Sequence, residues 1–123
     1  MTAENKAIAR RIYEDLWNSG NLNVADEIFV NAEGVKKYIA TFRAAFPDIW
    51  HTVEDLIAEG DQIVARFTAR GTHQGAWKGI APTGKQVTYT GMTILQIVNG
   101  KVAKHHTEWD ALRLMQQIGA VPT

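Results

Sequence analysis

Near the C-terminal end the chain gathers polar side chains that can move protons: His105, His106, Thr107, Glu108 and Asp110 fall within six residues. An imidazole beside a carboxylate or a hydroxyl in a dry cavity is a workable general acid/base, because its ordinary pKa lies near neutrality. Alternate residues of a strand face opposite ways. His105, Thr107 and Trp109 therefore share one face, and His106, Glu108 and Asp110 the other, until the chain bends at Asp110. The spacing alone also fits a plainer arrangement, with one histidine packed and hydrogen-bonded and the other solvated.

Other chemistries find little support. The two neighbouring histidines point apart on a strand, and no HxH or HxxxH spacing occurs, so no metal site is expected. The segment GIAPTGK (Gly79 to Lys85) is followed by Gln86 where a phosphate loop needs Ser or Thr, and its first glycine is misplaced. There is no serine nucleophile elbow. The absence of cysteine excludes a disulfide framework, a zinc-thiolate site and a cysteine nucleophile together. The remaining ionisable groups read as structural. His51, after Trp50, reads as a surface or interface residue, and His73, inside GTHQG, as a turn-fixing one. Arg66 and Arg70 share a strand face and read as cross-strand partners of carboxylates. Glu108 reads as a solvated or interface-rim charge. Asp110 reads as the N-cap of a last helix.

The elements that must position these residues are legible in the periodicity. Ile8, Ile12 and Leu16, with Ala9, Tyr13 and Trp17 one column over, form an apolar stripe at helical spacing. Asn18-Ser19-Gly20-Asn21 stops that helix. A short second helix puts Leu22, Ala25, Ile28 and Phe29 on one side. A third opens at Glu33-Gly34, buries Val35, Tyr38, Ile39, Phe42 and Phe46, and ends at Pro47. The period then changes to two. Strands are predicted over Trp50 to Ala58, Gln62 to Thr72, Gln86 to Val98 and Lys101 to Trp109. Glu59-Gly60-Asp61 and Asn99-Gly100 form tight turns, the latter of the type I′ hairpin kind. His73 to Lys85 reads as a long ordered loop, and Ala111 to Ile118 as a final helix closed by Gly119. By counting from the Asn99-Gly100 turn, Thr93 lies roughly opposite His105 or Thr107. Helices first and antiparallel strands after predict an α+β fold, with the helices covering one face of a curved sheet.

Composition bounds the function. The 123 residues predict one domain spanning residues 1–123, large enough to bury a core. Thirteen Lys plus Arg balance thirteen Asp plus Glu, so no positive field favours nucleic acid or an anionic membrane. No apolar run approaches the ~18 residues of a membrane span. MTAENKAIARR has no apolar signal-peptide core, which predicts a cytoplasmic protein. Tyr13, Trp17, Tyr38, Phe42, Trp77, Tyr89, Met92, Trp109 and Met115 supply far more aromatic and thioether surface than polar surface. Most must be core, and those lining a cavity suit a flat apolar or aromatic ligand.

Four stretches carry a family resemblance: FRAAFPD (Phe42 to Asp48), VEDLIAEGDQIVARFTARGTHQG (Val53 to Gly75), GIAPTGK, and NGKVAKHHTEWDALRLMQQIGAVP (Asn99 to Pro122). In order and spacing they resemble the SnoaL-like polyketide cyclases of the nuclear-transport-factor-2-like superfamily. The resemblance implies a cone-shaped curved antiparallel sheet, an α+β barrel, with N-terminal helices on its concave face and a cavity at the wide end. It implies a homodimer formed through the sheet's outer face. It also implies ring closure by intramolecular aldol condensation without metal or cofactor, a carboxylate taking a proton next to a carbonyl.

The last strand in that family often reads His, aromatic, Asp, with the Asp as acid/base. His105 matches the histidine, His106 stands at the aromatic position and Thr107 at that of the Asp. Thr93 replaces a histidine common on the neighbouring strand. The connection after the second helix, Phe29 to Ala32, is also about a dozen residues shorter than the family's, which often carries a His-Asp-Pro triplet. The expected site therefore has His105 as acid/base and Asp110 as its orienting carboxylate. Thr93 and Thr107 act as hydrogen-bond donors, and Tyr13, Trp17, Tyr38, Phe42 and Trp109 hold a small hydrophobic carbonyl compound. The missing acid motivates the alternative, a ligand-binding protein that has lost the chemistry. Finally, neither face of Gln86 to Val98 is as polar as a water-facing sheet. That predicts a symmetric homodimer, sheet on sheet, through Met92, Ile94 and their neighbours.

Overall fold

The computed structural model describes residues 2–123. Helix α1 (Thr2–Arg11) runs on into a π-helical segment, Ile12–Asn18. The segment buries Ile12, Tyr13, Leu16 and Trp17. Its wider turn is of a kind common at functional sites. Gly20 ends it with a positive φ of 71°. A Cβ there would lie 2.7 Å from Nε of Arg43, whose guanidinium donates to the carbonyls of Trp17 and Asn18. Those carbonyls belong to a helix C-terminus, where a cation is favourable. A 3₁₀ turn (Leu22–Val24) leads into α2 (Ala25–Ile28), and α3 spans Glu33–Ala45.

Four antiparallel strands follow in the order β1-β2-β3-β4: β1 (Trp50–Glu59), β2 (Gln62–Thr72), β3 (Gln86–Val98) and β4 (Lys101–Trp109). Asn99 and Gly100 both have positive φ, 52° and 79°, as the type I′ turn requires. The helices cover the concave face, and the core between them includes Leu16, Ile39, Phe42, Ile63, Ala65, Phe67 and Leu95. The fold is the expected α+β arrangement.

Two β-bulges decide which side chains reach that face. In β1 the register with β2 shifts between Val53 and Asp55. His51 and Val53 face inward before the shift, Leu56 and Ala58 after it. In β4 the register with β3 shifts so that Val102 pairs with Ile97 but Lys104 with Gln96, leaving Ala103 extra. Plain alternation from the buried Val102 would turn His105 outward; the bulge turns it, Thr107 and Trp109 in.

The long loop is tied to α3, since Gln74 and Gly75 both donate backbone N–H bonds to the carbonyl of Ala45. Gly75 is required there, because a Cβ would come within 2.1 Å of the Ala44 carbonyl oxygen. His73 fixes the turn as expected: its Nδ1 lies 3.0 Å from the Thr83 hydroxyl and accepts the Thr83 N–H. Helix α4 (Ala111–Gln117) is capped by Asp110, whose Oδ1 accepts the Arg113 N–H at 3.0 Å. Arg66 pairs with Asp55 across strands at 2.6 Å. Arg70 instead meets the Thr52 hydroxyl, which corrects the carboxylate partner expected for it.

Candidate active site

Between the helices and the concave face lies a cavity of about 550 Å³. The π-helical segment contributes Tyr13 and Trp17, α3 contributes Tyr38 and Phe42, and the sheet contributes Thr93, Thr107 and Trp109. The aromatic rings meet at tilted or edge-on angles: Trp17 and Phe42 have centroids 5.4 Å apart, Phe42 and Trp109 5.3 Å. The wall is apolar and aromatic, and among the described residues it contains no Asp, Glu, Lys or Arg.

Three of its polar side chains form a chain of hydroxyls. Thr93 and Thr107 are direct cross-strand partners, with their oxygens 2.9 Å apart. Tyr13 reaches in from the π-helical segment and donates to Thr93 at 3.0 Å. Burial pushes the Tyr13 phenol up to about 12, so it stays protonated and donates. Three hydroxyl protons thus serve two hydrogen bonds, and one proton on Thr93 or Thr107 is left for a ligand.

His105 pairs with Leu95 rather than with a threonine. It lines the mouth of the cavity, solvent-exposed, with its ring edge-on to Phe29 at 5.4 Å. Partial burial lowers its pKa from the ordinary value, favouring the unprotonated ring. Asp110 does not join it. The carboxylate is exposed, caps α4 and lies outside the cavity wall, so the orienting role expected of it is corrected to a structural one. The physical reason is that the strand ends at Trp109 and the chain turns into a helix whose free N–H groups claim the carboxylate. His106 and Glu108 are exposed and pair with each other at 3.3 Å.

The residue that sequence reasoning misplaced is His51. It is only 4% exposed, corrects the surface reading, and lines the cavity. Its ring lies among Trp17, Phe67 and Tyr13, with centroids at 4.5, 5.0 and 5.6 Å. Asn18 clamps its backbone, accepting the His51 N–H at 2.6 Å and donating to its carbonyl at 2.9 Å. Desolvation pushes its pKa down to about 3, so the ring is neutral near pH 7. Nδ1 is buried without a hydrogen-bond partner. Such an orphan costs about 1–3 kcal/mol.

Comparison with known proteins bears on this geometry. The sequence pattern of the SnoaL-like polyketide cyclases matches residues 7–118. The chain belongs to that family. No curated protein matches it in sequence. Among solved structures, this SnoaL-like chain is similar to AclR from Streptomyces galilaeus, described as a candidate hydroxylase. The two are 27% identical with a TM-score of 0.90, over 100% of this chain and 85% of AclR. TsrD from Streptomyces laurentii is also 27% identical, with a TM-score of 0.88 over 97% of each chain. IdmH from Streptomyces antibioticus, a candidate polyketide cyclase, is 26% identical with a TM-score of 0.83, over 94% of this chain and 98% of IdmH. No helix among the described residues is long and apolar enough to cross a membrane.

Proposed function

We propose that this SnoaL-like protein is a cofactor-free cyclase acting by acid/base chemistry on a hydrophobic, polyketide-like carbonyl compound. One observation carries the reading: a single uncharged cavity joins an imidazole kept unprotonated to a spare hydroxyl proton. His105 removes a proton from the carbon next to a ligand carbonyl. The carbonyl oxygen gains charge as the enolate forms, and the free hydroxyl of the Thr93–Thr107 pair hydrogen-bonds it. The enolate carbon attacks a second carbonyl in the same molecule, a carbon–carbon bond forms, and the new alkoxide takes a proton back. Tyr13, Trp17, Tyr38, Phe42 and Trp109 hold the flat molecule in a folded conformation that brings the two carbons together. The protein works as a homodimer joined through the convex face of its sheet.

Turnover of aldol-competent diketones by parent and His105→Ala tests this. Loss of a positioned base is expected to slow turnover by roughly 10²–10⁴-fold, and equal rates would remove His105 from the mechanism. A second reading rests on Thr107, which cannot act as a base where the resemblance implies an Asp. In that reading the cavity binds its ligand without changing it, and a crystal soaked with such a diketone would hold it intact.

A further inference from the structure

Two histidines of this chain are buried, and each leaves one ring nitrogen enclosed without a hydrogen-bond partner, Nδ1 of His51 and Nε2 of His73. They differ in where they sit. His73 has its Nδ1 engaged by the Thr83 hydroxyl and N–H, and it lies outside the cavity wall. His51 has no hydrogen bond to its ring among the described residues and a place in the cavity wall; its Nδ1 is enclosed, so Nε2 is the ring nitrogen left to face the cavity. Packing alone does not call for an imidazole at position 51. A phenyl ring would meet Trp17, Phe67 and Tyr13 equally well and would leave no polar atom unpaired. The backbone clamp from Asn18 and the three surrounding rings also hold the side chain in one orientation. A rigid, unpaired polar group in an apolar wall is what a ligand-recognising group looks like before its ligand arrives.

We propose that His51 is a specificity-determining residue of this cavity, which hydrogen-bonds a phenolic or enolic hydroxyl on a flat, uncharged ligand. A hydroxyl suits either imidazole tautomer, because it can donate to the ring's lone pair or accept from its N–H. A carboxylate or phosphate does not fit, since no Lys or Arg lines the wall among the described residues. The two sites divide the labour: the threonine pair serves the oxygen that becomes charged, and His51 an oxygen that stays neutral. The inference rests on the cavity being the ligand site, as the proposed function has it, and not on His105 turning anything over.

The test is an NMR-detected titration with an unreactive pair of probes, 2-naphthol and naphthalene, on the full chain. The parent is expected to prefer 2-naphthol by about tenfold, and His51→Phe to lose that preference while still binding naphthalene. In the parent with ¹⁵N-labelled histidine, the His51 ring signals are expected to shift with 2-naphthol and hardly at all with naphthalene. If His51→Phe does not fold, this second measurement decides alone. An undiminished preference in His51→Phe, unmoved His51 signals, or no binding of 2-naphthol would each overturn the proposal. Because the probes do not react, failure of the His105 turnover assay leaves this result standing, and failure here leaves that assay standing.

Discussion

The two faces of the sheet are built from the same strands by opposite rules. On the concave face Ile63, Ala65, Phe67 and Ala69 of β2 are buried, as are Val87, Tyr89, Thr93, Leu95 and Ile97 of β3. Thr93 there is fixed in a hydroxyl chain with Tyr13 and Thr107. On the convex face Arg66, Asp55, Asp61 and Gln96 pair in solvent, interactions worth at most about 1 kcal/mol each. Met92, Ile94 and Val98 stand among them with 51%, 45% and 43% of their surface exposed. The concave face is therefore sensitive to single atoms, whereas the convex face tolerates change until a partner is considered.

Gly91 gives the sharpest contrast. On the cavity side a Cβ would lie 2.5 Å from Cζ of Phe67, 2.8 Å from Cβ of Trp109 and 3.0 Å from the Glu108 carbonyl oxygen. The last two are tied to the backbone of β4 and cannot swing away. Gly91→Ala is expected to destabilise the protein by about 2–3 kcal/mol, as overpacking does. Thr90→Val, next door on the exposed side, should stay within about 0.5 kcal/mol. Urea melts of the two variants measure the difference, and equal midpoints would erase the distinction between the faces.

Acid should act through the concave face as well. The ordinary histidine pKa of 6.5 falls to about 3 for His51 in the fold. Between those values the unfolded chain takes up a proton that the folded chain refuses, so stability is full above 6.5 and is lost as pH falls toward 3. Going from about pH 7 to about pH 5 should cost about 2 kcal/mol. His105, whose pKa is also lowered by burial, adds to the loss with the same sign. Urea melts of His51→Phe at the two pH values should show a shallower dependence; an unchanged slope would mean that the ring is hydrated.

These same positions show what the sequence could and could not disclose. Strands β2, β3 and β4 end where alternation and turn residues place them, because Gly60 and the Asn99-Gly100 pair leave little choice of register. The cap at Asp110 follows from residue type alone. The bulges at Glu54 and Ala103 were not legible, since one extra residue in a strand leaves no compositional trace yet reverses the parity of every residue after it. The inward reading of His105 depended on the odd positions nearest Trp109, beyond the bulge. His51 precedes its own bulge, and counting back from Leu56 and Ala58 turns it out to solvent. The π-helical segment was equally hidden, because its apolar stripe also satisfies an ordinary helix.

The smallest change in protomer stability should come from the convex face, together with the largest change in mass. Ile57 pairs with Val64 and Val64 with Ile94, so an apolar row crosses β1 to β3 and ends against His106 of β4. Met92 and Val98 flank it on β3. A flat apolar surface of this kind is seldom left to water, and a two-fold axis through the row would set each Ile94 against the same surface of a second copy. Ile94→Lys keeps the strand and its backbone pairing but places a charge in that contact, where burying it unpaired is costly. Protomer stability is expected to move by less than about 0.5 kcal/mol. Size-exclusion chromatography with light scattering should give twice 13.7 kDa for the parent and 13.7 kDa for the variant. A parent that runs as a monomer at micromolar concentration would remove the dimer and leave the row exposed in the working protein.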